Sequence, residues 1–375
     1  MSTPVFSRRI YQINGVMVGP SGANASGAHF SLGNSGTNLL QQISRVTTTR
    51  DGFQANRTNI TQFGQLAPIA RLVTQSPTVN LSYSYYATDG SAEKMVGLNI
   101  SGSGHGSALQ HIIDRTQAEK NFFIPTVAEG TDLATLSGNS VVDVRGFGNA
   151  ALSSYSVSAA VGGFMTASTT WEALNATYDV GGTGNAIPAV DHNTSAQITG
   201  YTYNIPLATS GTVDQPIAIR QGDLFVDLSQ VSTTLGATVT GVGAANIQSF
   251  TINAPISLEV LQRLGSKQAY ARNINFPINV TFSIDALVNQ LNNGSVTSLF
   301  CDNSTYNLQV SATLPKCDST TGNSILIYTL VGAQLDSAEF SESVGPAQTV
   351  TMQFSAPIGG SSDTLHGFYI SGVNP

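Results

Sequence analysis

The stretch QFGQLAPIARLVTQSPTVNLSYSYY, Gln62–Tyr86, decides the fold because the chain repeats its pattern 201 residues later. The second copy reads RLGSKQAYARNINFPINVTFSID and begins at Arg263. Three identical pairs recur at this offset: Gly64 with Gly265, Ala70 with Ala271 and Arg71 with Arg272. Each copy then reaches a proline, Pro77 or Pro277, where the two spacings differ by one residue. A fixed self-offset of this kind indicates an internal repeat.

The residues after each proline alternate between apolar and polar, which is typical of a half-buried β-strand. The apolar positions are Val79, Leu81 and Tyr83 in the first copy and Val280, Phe282 and Ile284 in the second. A second pair of segments supports the repeat: LSSYSVSAAVGGFMTASTTWEA from Leu152 matches LDSAEFSESVGPAQTVTMQFSA from Leu335, offset by 183 residues. Each predicts two strands around a Val-Gly turn, a β-hairpin. Chance likeness between amphipathic strands is the alternative, but the conserved order favours duplication.

Composition favours an all-β fold with one or two short helices. Only 10% of the 375 residues are charged and 41% are apolar, while Gly, Ser, Thr and Asn fill much of the rest. Low charge on long Ser/Thr/Asn surfaces suits a protein buried in an assembly, or a secreted adhesin. The net charge is −7 and the only basic cluster is the pair Arg8-Arg9, so we expect no affinity for nucleic-acid phosphates.

The N-terminal sequence MSTPVFSRRIYQING has no apolar run after its arginines, so we predict no signal peptide. The apolar runs are too short for a membrane span, and we expect no membrane partner. Cys301 and Cys317 fit no metal-binding spacing. We expect free thiols, with a disulfide formed after cell lysis as the alternative.

The chain divides into four predicted segments. Residues 1–36 are an N-terminal arm or loop, residues 37–180 the first repeat, residues 181–215 a Gly/Asn/Thr-rich linker, and residues 216–375 the second repeat with a C-terminal extension. Apolar spacing predicts a helix in 104–120 and a shorter one in 286–292.

No residues are predicted to be catalytic, cofactor-binding or metal-binding, and we expect no enzyme and no cofactor. The five histidines are scattered and none has paired-ligand spacing: His29, His105, His111, His192 and His366. Asp191-His192 is interpreted as a solvated loop pair, and the Gly-rich stretch from Ser101 as a turn without a P-loop lysine. Trp171, which matches Phe354 in the repeat, is predicted to be core.

Several stretches resemble phage major tail tube proteins, and the resemblance covers most of the chain. They are the second core block RLGSKQAYAR-x4-Pro-x2-Val, the strand IRQGDLFVDL before it, GFGNAALSSYSVSAAVGGFMTASTTWEALN and YQINGVMVGP. The resemblance implies two tandem β-sandwich domains whose long hairpins join neighbours into a continuous barrel. It further implies a structural virion protein whose rings stack into the hollow tube that DNA passes through on ejection.

Two-domain members of this family, known from long-tailed siphophages, form trimeric rings with pseudo-sixfold symmetry. The resemblance therefore implies a homotrimer, with the tape measure protein and the tail terminator and distal tail proteins as further partners. DNA would be only a transient occupant of the lumen, without specific binding. The protein would be part of the virion and assemble in the host cytoplasm. The N-terminal arm is predicted to reach the next ring.

Two alternatives stay open. One is a distal tail or baseplate hub ring of the same fold, and the other is a secreted β-sandwich adhesin or carbohydrate-binding module whose Tyr83, Tyr85 and Tyr86 stack on sugars.

An acidic chain without a basic stripe favours a lumen that repels DNA. Arg71 and Arg272 are either solvated or salt-bridged strand residues, or residues of a subunit contact.

Overall fold

The computed structural model describes residues 14–20, 38–100, 107–116, 119–127, 133, 141–180, 190, 201–204, 218–227, 246–265, 269, 271–287, 305–314, 324–342, 348–360 and 365–372. Strands dominate these ranges and two short helices accompany them, which confirms the all-β prediction. No helix in the described ranges has the length and apolarity needed to cross a membrane. Cys301, Cys317, His29, His105, His192, Asp191 and the stretch 101–106 lie outside the described residues.

The strands fall into two sequential sets. The N-terminal half contains β1 (Met17–Pro20), β2 (Asn38–Gln42), β3 (Val46–Gln54), β4 (Arg57–Ile60), β5 (Ala70–Val73), β6 (Thr78–Tyr86), β7 (Glu119–Val127), β8 (Val141–Ala160), β9 (Thr166–Ala173), β10 (Asn175–Val180) and β11 (Tyr201–Asn204). The C-terminal half contains β12 (Leu224–Asp227), β13 (Asn246–Pro255), β14 (Leu258–Leu261), β15 (Ala271–Ile274), β16 (Asn279–Leu287), β17 (Tyr306–Thr313), β18 (Ser324–Ser341), β19 (Thr349–Pro357) and β20 (Gly367–Gly372).

Each half is a sandwich of two strand layers that share one long strand. In the N-terminal half the layers are β3-β6-β9-β8 and β1-β7-β8-β10, and in the C-terminal half β13-β16-β19-β18 and β12-β17-β18-β20. Aromatic rings pack between the layers: Phe122 of β7 lies 4.8 Å from Trp171 of β9, and Tyr306 of β17 lies 6.3 Å from Phe354 of β19. Trp171 and Phe354 are both fully buried, so the core prediction for Trp171 is confirmed.

The two halves have matching strand bounds and matching register. β4, β5 and β6 recur as β14, β15 and β16 with every terminal residue shifted by 201. Strand pairs recur with the same partners, bulges included. Examples are the pair Val79–Ala173 with Val280–Ala356, and the bulge Leu152–Ser154 with Leu335–Ser337. This correspondence supports the predicted duplication.

The helix predictions are partly wrong. Among the described residues of 104–120, only α2 (Gln110–Ile113) is helical, because Arg115 takes a positive φ of 64° and the Thr116 amide donates to the Asp114 carboxylate at 2.9 Å. Lys120 belongs to β7 instead. A helix that was not predicted, α1 (Ser91–Met95), follows β6.

The predicted helix in 286–292 is contradicted at its start. Ala286 and Leu287 belong to β16, because the inward alternation of Val280, Phe282 and Ile284 continues through Ala286. Residues 288–292 lie outside the described residues.

Part of the predicted N-terminal arm is core. Val16, Met17 and Val18 are buried, and β1 pairs with both β2 and β7, so the arm prediction is wrong for residues 14–20. A short run of β-branched and apolar residues is enough to join a sheet. Within the predicted linker, β11 pairs in parallel with β2. The rest of the arm, and with it the predicted contact to the next ring, lies outside the described residues.

Candidate functional site

The two halves are joined through their strands. Ser154–Ala160 of β8 pairs antiparallel with Ser249–Pro255 of β13, so the layers β3-β6-β9-β8 and β13-β16-β19-β18 form one eight-stranded run. Backbone hydrogen bonds close both ends of this ladder, from the Ile256 amide to the Ser153 carbonyl at 2.7 Å and from the Val161 amide to the Gln248 carbonyl at 2.9 Å. We call this ladder the junction.

A hairpin of the C-terminal half docks beside the junction. It consists of β14 and β15, and we call it the docked hairpin. Its Arg272 side chain is only 4% exposed and reaches across to the N-terminal half. The guanidinium donates to the Glu119 carboxylate at 2.8 Å, to the Glu172 carbonyl at 2.5 Å and to the Asn149 carbonyl. Charge-assisted hydrogen bonds to carboxylate and carbonyl oxygens are the strong kind, so Arg272 fastens one half to the other.

A buried carboxylate joins the halves at a third point. Glu93 of α1 is fully buried, and its Oε1 accepts hydrogen bonds from the hydroxyls of Tyr85 at 3.0 Å, Tyr155 at 3.2 Å and Tyr328 at 3.4 Å. Tyr328 belongs to β18 of the C-terminal half and stacks on Phe368 at 6.2 Å. Burial raises the pKa of Glu93, and hydrogen bonds from its own backbone, Tyr85 and Tyr155 offset part of that rise.

The strands that occupy the equivalent outer positions have one partner each. Within the described part of the chain, β3 pairs with β6 alone, and the segment 334–341 of β18 pairs with β19 alone. These are the positions that β13 and β8 fill for each other at the junction. We call them the free edges.

Apolar side chains on the free edges lie open where their equivalents are buried. Phe53 on β3 is 66% exposed, whereas Ala254 at the matching position of β13 is fully buried. Phe340 on β18 is 44% exposed, whereas the matching Val157 of β8 is fully buried. Exposed, unpaired edges of this length are templates for pairing with another chain.

The free edge of β3 continues into a second exposed element, the hairpin of β4 and β5, which we call the free hairpin. Its Arg71 is the equivalent of Arg272. Arg71 is exposed, and its guanidinium has no hydrogen bond or ion pair among the described residues. Of the sixteen exposed large hydrophobic side chains in the described ranges, seven lie between residues 53 and 73, which marks one contiguous stretch of chain. They are Phe53, Ile60, Phe63, Leu66, Ile69, Leu72 and Val73.

The outer face of the eight-stranded run is lined by hydroxyl and amide groups. One cross-strand row reads Thr48, Ser84, Ser168, Ser156, Asn253, Thr281 and Ser355. Four charged side chains share this face within the described strands: Arg50, Glu172, Asp285 and Glu339. Three acidic groups against one basic group give the face a negative balance.

Metal-ligand clusters and clefts are the remaining features of the described ranges that bear on a site. No three His, Cys, Asp or Glu side chains come together there as a metal-binding cluster. A cleft of about 180 Å³ beside the turn at Val161 is lined without a titratable side chain, and another of about 180 Å³ has Arg45 as its only charged one. The expected absence of catalytic, cofactor-binding and metal-binding residues stays a prediction.

Arg71 and Arg272 were interpreted either as solvated or salt-bridged strand residues or as residues of a subunit contact, and Arg272 is salt-bridged. Arg272 contacts the other repeat within the same chain, and Arg71 is solvated in the single chain. Tyr83 and Tyr85 are buried on one face of β6, so neither is free to stack on a sugar. The Glu93 cluster was missed, because its tyrosines lie 8, 62 and 235 residues away along the chain and form no local pattern.

No protein-family model and no curated protein matches this chain. The resemblance to tail tube proteins therefore stays a prediction.

Proposed function

We propose that this protein is a structural subunit of a phage tail tube, assembling into stacked rings around a channel for DNA. The observation that carries the proposal is the junction. Its two strands recur at the free edges in the same register, but there no strand within the described residues pairs with them. A second copy of the chain supplies the missing partner for each edge.

The junction gives the register of the proposed contact. Shifting its pairs by 201 residues for β3 and by 183 for β18 places Phe340 opposite Asp51, and Ala338 opposite Phe53. Arg50 then lies diagonal to Glu339, within reach for long side chains of opposite charge. This register pairs apolar with apolar at Phe53 and basic with acidic at Arg50, while Asp51, opposite Phe340, has its carboxylate paired with Arg145 of its own half.

A contact between the two ends of one molecule is head-to-tail, and such contacts close into rings when the rotation per copy allows it. At the junction, the pairing of β8 with β13 relates two equivalent four-stranded layers of one chain by such a rotation. Three copies would place six of these layers in a ring, which is the pseudo-sixfold arrangement that the tail tube resemblance implies. Duplication of one tube domain accounts for both the repeated register and this symmetry.

The hydroxyl-lined face is the proposed lumen surface, because the opposite face of the same strands packs on the second layer. Its four charges include one arginine, so it offers no basic row to phosphates. DNA would slide past neutral hydroxyls and a few carboxylates without being held. The tape measure protein would occupy the lumen before DNA, with tail terminator and distal tail proteins at the tube ends. The complex would belong to the virion and assemble in the host cytoplasm.

Negative-stain electron microscopy of the purified chain, with its mass in solution, tests the proposal. Hollow tubes, or rings of three chains with sixfold features, are the expected result. Rings that never stack would favour a distal tail or hub protein. A chain that stays monomeric at all concentrations, with or without purified tail initiator proteins, would contradict the proposal.

A matched pair of variants tests the edge itself. The junction bonds of Gln248 and Ile256 show that even-numbered residues of β13 point their backbone toward β8, so odd-numbered residues of β3 point theirs outward. Thr49→Pro removes one outward amide and should abolish assembly, since proline cannot donate to a ladder. Thr49→Ala keeps the amide and should assemble normally. Equal behaviour of the two variants would contradict edge pairing.

A further inference from the structure

The geometry points to Arg71 as an assembly residue that receives its partner atoms from a second copy of the chain: the backbone carbonyl oxygens of the partner's Gly332 and the partner's Ser355. The free hairpin that carries Arg71 would dock on that copy as the docked hairpin does on its own chain. The inference rests on the proposed function, because it needs a ring in which β3 of one copy meets β18 of the next.

The donor side of this contact is an exact positional match. Arg71 and Arg272 occupy the second residue of β5 and β15, strands whose bounds differ by 201 at both ends. Both strands close a hairpin with the same register, Arg57–Val73 in one and Leu258–Ile274 in the other. On the docked hairpin, the arginine at this position reaches strands β8 and β9 of the neighbouring half.

The acceptor side is equally present in the C-terminal half. The carbonyls that hold Arg272 belong to Asn149 and Glu172, and 183 residues later these positions are Gly332 and Ser355. Asn149 and Gly332 both have a positive φ, 51° and 74°, so the long strand makes the same backbone kink at both places.

An asparagine braces each kink in the same way. The Asn149 amide donates to the side chain of Asn121 at 2.8 Å, and the Gly332 amide donates to the side chain of Asn307 at 3.3 Å. The kink that aims the acceptor carbonyl is therefore built in both halves. Among the described residues of one chain, an arginine of the equivalent hairpin occupies the N-terminal kink and none occupies the C-terminal one.

One acceptor is not repeated. The position of Glu119 corresponds to Thr305, which is exposed and carries no charge. Arg272 has an ion pair and two carbonyl acceptors, whereas the proposed contact of Arg71 has the two carbonyl acceptors alone. A weaker contact fits an interface that forms from soluble subunits, and salt should affect it less than an ion pair.

The concentration threshold for assembly, measured by sedimentation, tests the role of Arg71. We expect Arg71→Met to raise the threshold about tenfold or more, since it removes two charge-assisted hydrogen bonds. Arg71→Lys should raise it less than Arg71→Met, because an ammonium can still donate to one carbonyl, although it lacks the guanidinium fork that bridges two. The melting temperature of the unassembled chain should stay unchanged in both variants. A threshold equal to that of the native chain would overturn the inference while leaving the tube proposal intact.

Cross-linking tests the partner atoms directly. In a Cys301→Ser, Cys317→Ser background and above the raised assembly threshold expected when Arg71 is replaced, the pair Arg71→Cys and Ser355→Cys should give covalent oligomers with a short bis-maleimide, ending at the ring size. The pair Arg272→Cys and Glu172→Cys is the matched control and should be bridged within one chain. Assembled tubes with the control bridge but without the oligomers would overturn the inference alone. A native chain that never assembles would overturn both the inference and the proposed function.

Discussion

The docked hairpin and the free hairpin show how one local pattern can be buried in one half and exposed in the other. Their strands have the same lengths, register and central arginine, yet Arg272 is 4% exposed and Arg71 is solvated. Sequence pattern alone therefore determines the hairpin, whereas burial depends on whether a neighbouring layer is present. A single chain provides that neighbour once.

The residues at the base of each hairpin reflect this difference. Leu258 and Ile274 of the docked hairpin pack against the core, and their equivalents in the free hairpin are Arg57 and the exposed Val73. A charged residue such as Arg57 on the exposed edge of the free hairpin limits unspecific pairing before assembly. The comparison thus separates contacts that hold one chain together from contacts left open to a second copy.

The largest expected effect comes from breaking the contact between the halves at Glu93. Glu93→Ala removes the carboxylate that three buried tyrosine hydroxyls share and leaves a cavity, so we expect a loss of about 3–5 kcal/mol in the free energy of unfolding. Chemical denaturation of the unassembled chain measures it. A loss below about 1 kcal/mol would show that the cluster does not hold the halves together.

Glu93→Gln is the matched control and gives a pH prediction. Because burial raises the Glu93 pKa above its ordinary value of 4.5, the native state binds this proton more tightly than the unfolded state does. The resulting stabilisation is present below pH 4.5 and is lost as the pH rises through the native pKa. The amide does not titrate, so the native chain should lose stability relative to Glu93→Gln over that rise. A difference that is flat in pH would contradict the raised pKa.

The next effect sharpens the comparison between the two arginines. Arg272→Met removes the donor of two carbonyls and the ion pair of Glu119, which keeps its hydrogen bond from the Asn149 side chain. Because Glu119 is also partly exposed, we expect a loss of about 2–3 kcal/mol in the free energy of unfolding of the unassembled chain. Arg71→Met should change the same quantity by less than about 0.5 kcal/mol. Thermal and chemical unfolding of both variants measures it. Similar losses would mean that Arg71 has a partner within its own chain.

Most of the correctly predicted strands lie in the segments that the two repeat offsets matched. Alternation in 79–83 and 280–284 predicted β6 and β16, and the matched hairpins predicted β8 with β9 and β18 with β19. These predictions succeeded because inward and outward positions alternate along a strand wherever one face is buried. The helix in 104–120 was overestimated because apolar spacing does not register the positive φ of Arg115 that ends α2.

The candidate interface was only half accessible from sequence. The arginine pair could be found by its offset. The sequence did not show that Arg272 would contact Glu119, 153 residues away, while the Arg71 guanidinium has no hydrogen bond or ion pair among the described residues. The buried strand β1 was missed because it lies beside a Gly- and Ser-rich run typical of loops. Contacts between distant segments depend on layer packing, which local patterns do not encode.

A smaller effect than that of Arg272→Met is expected at the two backbone kinks, where Asn149 and Gly332 have a positive φ. At Gly332, a Cβ would lie 2.4 Å from the Leu365 carbonyl oxygen, and the φ of 74° disfavours any side chain, so Gly332→Ala should cost about 1–3 kcal/mol.

Asn149→Gly makes the opposite exchange at the other kink. It relieves a positive φ of 51° but loses the hydrogen bond from the Asn149 side chain to Glu119, so its net cost should stay within about 1 kcal/mol. Unfolding of the two variants under one set of conditions gives the difference. Costs in the reverse order would show that the kinks are shaped by their surroundings and are not interchangeable. In that case the Gly332 carbonyl would not be equivalent to the Asn149 carbonyl that accepts from Arg272. The proposed docking of Arg71 would then have one acceptor oxygen in place of two.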